Sequence, residues 1–172
     1  MPRNLVFIGM PGSGKSTVGV LVAKQLGLGF VDTDLLIQQQ AGRTLQDIVD
    51  QDGYQALRKV EERVLLGLEV ADHVISTGGS AVYSDAAMAH LRANGVVVFL
   101  DIPLGVVLER IGDYGSRGIS RRPDQSLAEL FDERFALYTR HADVVVQGAG
   151  LSQAQVCEAV VKALGPKSEA SG

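Results

Sequence analysis

The 172-residue chain has one cysteine and no tryptophan. A lone thiol excludes an internal disulfide, so the fold must be held by packing; such a composition suits a reducing compartment and predicts a cytoplasmic protein. Cys157 stands among Val156, Val160, Val161 and Leu164, the setting of a thiol that packs as a small apolar group. No His/Cys cluster has zinc-ligand spacing. No apolar run reaches the length of a membrane span. The opening MPRNLVFIGM lacks a signal-peptide plan, because its apolar run passes into a glycine-rich turn. The net charge is −4 and the basic residues form no long run, which counts against nucleic acid as the main partner.

What is present is an ordinary globular composition, 46% hydrophobic and 21% charged, of a length that suits one domain. Short apolar runs alternate with helical patterns. Strands are predicted at 4–8, 29–32, 73–76, 96–101 and 143–147. Helices are predicted at 16–26, 35–41, from the Thr44/Asp47 capping pair through Val49, at 54–70, from Ser84 to Ala93, after Pro103, from the Ser126/Glu129 pair to Arg140, and from Ser152 to the Gly165-Pro166 stop. This alternation predicts an α/β fold with a five-stranded, mainly parallel sheet. Residues 1–165 are expected to form the single domain and 166–172 a frayed tail. Sites in such sheets lie at the carboxyl ends of the strands.

The first strand runs into GMPGSGKST, Gly9 to Thr17, with the spacing G-x-x-x-x-G-K-[ST]. Glycines let backbone N–H groups line a nest, and the following helix aims its positive end at the same place. Gly12, Ser13, Gly14, Lys15, Ser16 and Thr17 therefore form a phosphate cradle, with Lys15 for the terminal phosphates and the Ser16 hydroxyl for Mg²⁺. The second strand ends in Asp32-Thr33-Asp34, an acidic pair in which one carboxylate can serve Mg²⁺ while the other faces an acceptor hydroxyl. One of the two also suits a helix N-cap. The third strand ends in Gly78-Gly79. Residues 111–125, IGDYGSRGISRRPDQ, fit neither period and read as an arginine-bearing lid.

A guanine-reading Asn-Lys-x-Asp motif is missing, since Asn4 and Asn94 are the asparagines and neither has that context. Asp101 ends the fourth strand without a following Glu, unlike a mechanical ATPase. Phosphoryl transfer to a small anionic acceptor explains more of the pattern than a switch does.

In the order GMPGSGKST, DTD, LRKVEE, TGGS and ERFALY, the chain resembles the shikimate kinases from about Asn4 to Leu164. The resemblance implies a three-layer P-loop kinase fold with a mobile lid, a monomer, and transfer of the γ-phosphoryl of ATP to the 3-hydroxyl of shikimate in the aromatic amino-acid precursor pathway. It implies that Asp34 faces the acceptor hydroxyls, that Asp32 lies near Mg²⁺, that Arg58 and Arg134 bind the acceptor carboxylate, that Glu61 steadies the acceptor pocket, and that Gly78 and Gly79 offer it backbone. It makes Arg117 the lid arginine on the transferring phosphate, with Arg121 and Arg122 as competitors, and sets Arg110 against adenine. Without the family, Arg58 reads as an i,i+4 partner of Glu62 on a wet helix face, and Arg134 as a surface arginine. The chain departs from the family pattern at Leu57, Ser80, Gly118-Ile119-Ser120 and Ala136. Alternatives are a kinase for a related polyhydroxy acid such as gluconate, and a non-catalytic nucleotide-binding regulator.

Overall fold

The computed structural model describes residues 3–112 and 118–165. Five parallel strands, β1 (Asn4–Ile8), β2 (Gly29–Asp32), β3 (His73–Ser76), β4 (Gly95–Asp101) and β5 (Val144–Gln147), form one sheet in the order 2-3-1-4-5. The helices are α1 (Lys15–Leu26), α2 (Thr33–Ala41), α3 (Leu45–Asp52), α4 (Tyr54–Leu66), α5 (Asp85–Ala93), α6 (Leu104–Ile111), α7 (Leu127–His141) and α8 (Gln153–Ala163). After β1 the chain crosses to the β2–β3 side, then returns to lay β4 on the other edge of β1. The loop after β1 thus sits where the strand order reverses, the place where such sheets open a ligand crevice.

β1 is buried at every position, as a central strand covered on both faces must be. Its alternate residues feed two apolar layers. Leu5 and Phe7 meet Val18 and Val22 of α1 and Val156, Cys157 and Val160 of α8. Val6 and Ile8 meet Leu65, Met88, Leu91, Val107, Leu130 and Tyr138, from α4, α5, α6 and α7. A third, smaller cluster of Ile37, Ile48, Leu57 and Val64 ties α2, α3 and α4 together beside the crevice. That cluster carries the helix on which Arg58 and Glu61 ride.

The caps read from the sequence are in place. Thr44 and Asp47 form a reciprocal box at α3, as Ser152 and Gln155 do at α8, and the Ser126 hydroxyl accepts from the Glu129 N–H at 3.1 Å. Some elements differ from expectation, and α3 runs on to Asp52, past Val49. α2 begins at Thr33 because Asp32 caps it, accepting from the Asp34 N–H at 2.9 Å. α4 stops at Leu66 rather than at residue 70, where the Gly67 N–H turns back to the Arg63 carbonyl at 3.1 Å. A 3₁₀ turn over Ala81–Tyr83 has no periodic signal in the sequence, and three residues are too few to give one. Among the described residues, no helix is long and apolar enough to cross a membrane.

Candidate active site

The turn from β1 into α1 is shaped by glycines in the left-handed region. Gly12 has φ 79° and Gly14 φ 95°, and a Cβ on Gly12 would lie 2.9 Å from Ile111 Cγ1. No side chain caps α1, so its first N–H groups point into the crevice without a side-chain acceptor. Lys15 folds back along the loop, and its Nζ donates to the Gly9 carbonyl at 2.7 Å and the Met10 carbonyl at 2.8 Å. Burial lowers the Lys15 ammonium to a pKa of about 8, with the Asp34 charge opposing the drop.

The Ser16 hydroxyl donates to Asp32 Oδ2 at 2.7 Å and lies 3.1 Å from Ser76 Oγ. Ser16 and Asp32 thus bring a hydroxyl and a carboxylate together at the end of the phosphate loop, the hard-oxygen chemistry that suits Mg²⁺. Asp34 diverges from Asp32, as alternate spacing allows, and faces Gly78 instead. Burial, reinforced by the Asp32 charge, raises the Asp34 carboxyl to a pKa of about 6. Glu61 is buried. Its Oε2 accepts from the Ser80 hydroxyl at 2.8 Å and its Oε1 has no hydrogen-bond partner. Burial, then the charge of Asp34, pushes Glu61 up to about 7.

Two arginines stand at the far side, Arg134 in the cavity wall and Arg58 behind Ser120. Arg134 of α7 is 1% exposed, so it is no surface arginine. Its Nη2 donates to the Ser120 carbonyl at 2.5 Å. Arg58 of α4 donates through Nη2 to the same carbonyl at 3.3 Å and through Nε to Ser120 Oγ at 2.9 Å. The i,i+4 pairing of Arg58 with Glu62 does not occur, because Glu62 is taken by the Ser84 hydroxyl. Gly79 leaves room for this wall, since a Cβ there would lie 2.7 Å from Arg134 Nη1. The whole encloses a cavity of about 440 Å³, bordered by Gly12, Gly14, Lys15, Ser16 and Thr17 on one side and by Asp34, Glu61, Gly78, Gly79 and Arg134 on the other.

Arg110 reaches the cavity from the last turn of α6 and donates to the Gly12 carbonyl at 3.3 Å. Ser13 is buried against the loop and does not border the cavity; Arg58 reaches it only through Ser120. Arg117 lies outside the described residues. Arg121 donates to the Gln125 carbonyl and Arg122 pairs with Glu133 at 3.3 Å, and neither borders the cavity. Residues to which the sequence assigned no site role also line it, among them Thr77, Ile119, Ser120 and Gln153. Thr77 could have been found from its place before Gly78-Gly79. Ser120 carried no site signal, because its contacts with Arg58 and Arg134 come from helices distant in sequence.

A phosphate loop at the switch point of a parallel sheet, with an acidic pair across from it and two arginines beyond, defines a small-molecule kinase of the P-loop class. The family model for shikimate kinase matches residues 11–165. A shikimate kinase of Gloeobacter violaceus is 40% identical over 165 residues, covering 94% of this chain and 92% of that one. One from Persephonella marina is 35% identical over 162 residues, covering 92% and 97%. Among solved structures, shikimate kinase from Acinetobacter baumannii in complex with shikimate superposes with a TM-score of 0.87 at 27% identity, covering 95% of this chain and 93% of that one. The chain belongs to the shikimate kinase family, ATP-using phosphotransferases with an alcohol group as acceptor.

Proposed function

We propose that the cavity binds ATP along the phosphate loop and shikimate between α2, α4 and α7, and that the γ-phosphoryl passes to the 3-hydroxyl of shikimate. The observation that carries the acceptor reading is the convergence of Arg58 and Arg134 on one oxygen, the Ser120 carbonyl. Two guanidinium groups aimed at one point suit a carboxylate, which accepts from both with full charge assistance. Asp34 takes the proton of the attacking hydroxyl as the new P–O bond forms and the bond to ADP breaks. Its pKa of about 6 leaves it ionised at neutral pH yet basic enough to receive that proton. Lys15 follows the charge that develops on the terminal phosphates. Gly78 and Gly79 present backbone to the acceptor, and Glu61 with Ser80 fixes the pocket floor.

Mg²⁺ would be held by Ser16 and Asp32, and when bound it neutralises phosphate charge. We assign the segment 111–125 as the lid of a single unit spanning 1–165, with Arg117 on the transferring phosphate and Arg110 against the adenine. The test is ADP release with shikimate, quinate or gluconate as acceptor. Turnover of shikimate far above the other two is expected. A folded, ATP-binding protein that turns over gluconate or quinate in preference would overturn the acceptor assignment.

A further inference from the structure

We infer that Tyr83 is a positioning residue for the acceptor clamp, holding Arg58 and Arg134 in their converging orientation; this rests on the reading that those two arginines bind the acceptor carboxylate. Tyr83 ends the 3₁₀ turn Ala81–Tyr83, which follows the glycine pair after β3. That turn delivers its ring between the two helices that carry the arginines. The Arg58 guanidinium carbon lies 3.7 Å from the centre of the Tyr83 ring, well inside cation–π range. On the other side, Arg134 Nε donates to the Tyr83 hydroxyl at 3.4 Å, and the Arg134 guanidinium carbon lies 5.5 Å from the ring centre. One side chain therefore touches both cations.

Such contact is needed because the arrangement is repulsive. Two guanidinium groups meet at one neutral carbonyl, and Arg134 is among the groups that, after burial, hold the Arg58 pKa down. Tyr83 opposes the repulsion in two ways. Its ring face offers negative quadrupole to Arg58, and its oxygen offers a lone pair to Arg134. The hydroxyl proton is spent on Glu133 Oε2 at 2.6 Å, so the oxygen is left to accept from Arg134. Glu133 is itself held by Gln125 Nε2 at 3.3 Å and by Arg122 at 3.3 Å. The tyrosine is thus anchored to α7 at the hydroxyl and braced against α4 at the ring.

Steady-state kinetics on Tyr83→Phe and Tyr83→Leu test this, with shikimate and with its carboxamide analogue, which lacks the anionic charge. Tyr83→Leu should raise the KM for shikimate about 10- to 100-fold with kcat changed less than about threefold and the KM for ATP unmoved. Tyr83→Phe keeps the ring and should raise it about 3- to 10-fold. Neither variant should alter turnover of the carboxamide relative to wild type, because the clamp acts on the charge. A shikimate KM unchanged in both folded variants would overturn the inference while leaving the acceptor reading intact. So would equal losses for shikimate and the carboxamide, which mark a general structural defect. Absence of shikimate turnover by the wild type would overturn the acceptor reading and this inference with it. Should Tyr83→Leu fail to fold, the near-isosteric Tyr83→Phe still decides, since an unchanged KM without the hydroxyl that holds Arg134 would overturn the claim that Tyr83 positions both arginines.

Discussion

Asp34 and Glu61 face one another across Gly78. A Cβ on that glycine would lie 2.6 Å from Asp34 Oδ1 and 3.0 Å from Glu61 Oε2. The missing side chain is the space in which the two carboxyls meet, and each is raised by burial, Glu61 further by Asp34. Gly78→Ala should displace the Asp34 carboxylate by a few tenths of an ångström or more and cut kcat roughly 10- to 100-fold, in line with what misplacing a reacting group costs. Kinetics on a variant with an unchanged circular-dichroism spectrum check this; wild-type kcat would mean that Asp34 does not act from this position.

The pH profile of kcat/KM for shikimate should be bell-shaped. Its acid limb lies between about pH 6 and 7, because Asp34 and Glu61 titrate near about 6 and about 7 as an interacting pair. Its alkaline limb lies near pH 8, where Lys15 loses its charge in the free enzyme. Asp34→Asn should lower kcat by roughly 10² or more. Retention of wild-type kcat in that variant would dismiss Asp34 as the base.

Glu61 carries a stability cost with a definite sign. Its pKa is raised from 4.5 to about 7 on folding, so the folded chain binds this proton more tightly than the unfolded chain does. Stability is intact below about pH 4.5 and is lost as pH rises through 7. Glu61→Gln should therefore be close to neutral at pH 4 and should stabilise the free protein by on the order of 2 kcal/mol at pH 8. Urea titrations at the two pH values read this directly; equal effects at both would place the Glu61 titration elsewhere.

The two clamp arginines should fail differently. Arg134 is 1% exposed, so Arg134→Ala leaves a buried void and removes the shorter of the two hydrogen bonds to the Ser120 carbonyl, and its Tm should fall. Arg58 is only partly buried, so Arg58→Ala should keep a Tm near that of the wild type. Both should lose about 30- to 1000-fold in kcat/KM for shikimate, with less than additive loss in the double variant, because both act on one carboxylate. Thermal melts and kinetics on the three variants separate the two effects; additive losses would mean that the arginines serve different groups.

Lys15→Ala should abolish turnover through loss of the fixed cation on the phosphates. Measurable turnover of shikimate by a folded Lys15→Ala protein would remove the phosphate loop from the mechanism.

The strands and the caps could be read from the sequence because their causes are local. Asn4–Ile8 is apolar throughout and Ser126 stands three residues before Glu129, and neither fact depends on distant chain. The divergence of Asp32 and Asp34 was legible for the same reason. Arg58 and Arg134 were not. Local reading assigns both to solvent, and only tertiary packing on Ser120 and Tyr83 gives them a shared point. The departure at Gly118 also acquires its reason only in three dimensions. Gly118 has φ 63°, a region that residues with a side chain rarely adopt, and a Cβ on it would lie 2.5 Å from Leu45 Cβ. Its N–H donates to Gln46 Oε1 at 2.7 Å, so glycine lets this stretch lie flat on the start of α3.

The Ser120 carbonyl, described as the point where two guanidinium groups meet, is also an internal competitor. On the proposed reading, a carboxylate arriving between Arg58 and Arg134 would find its seat held by the chain itself, so binding there would be an exchange of ligands rather than an addition. The affinity read in a titration is then the difference between two attractions, not the size of one. A change that strengthens the grip on Ser120, such as one that tightens its 3.1 Å bond to the Tyr54 carbonyl, weakens acceptor binding without touching a single atom that meets the acceptor.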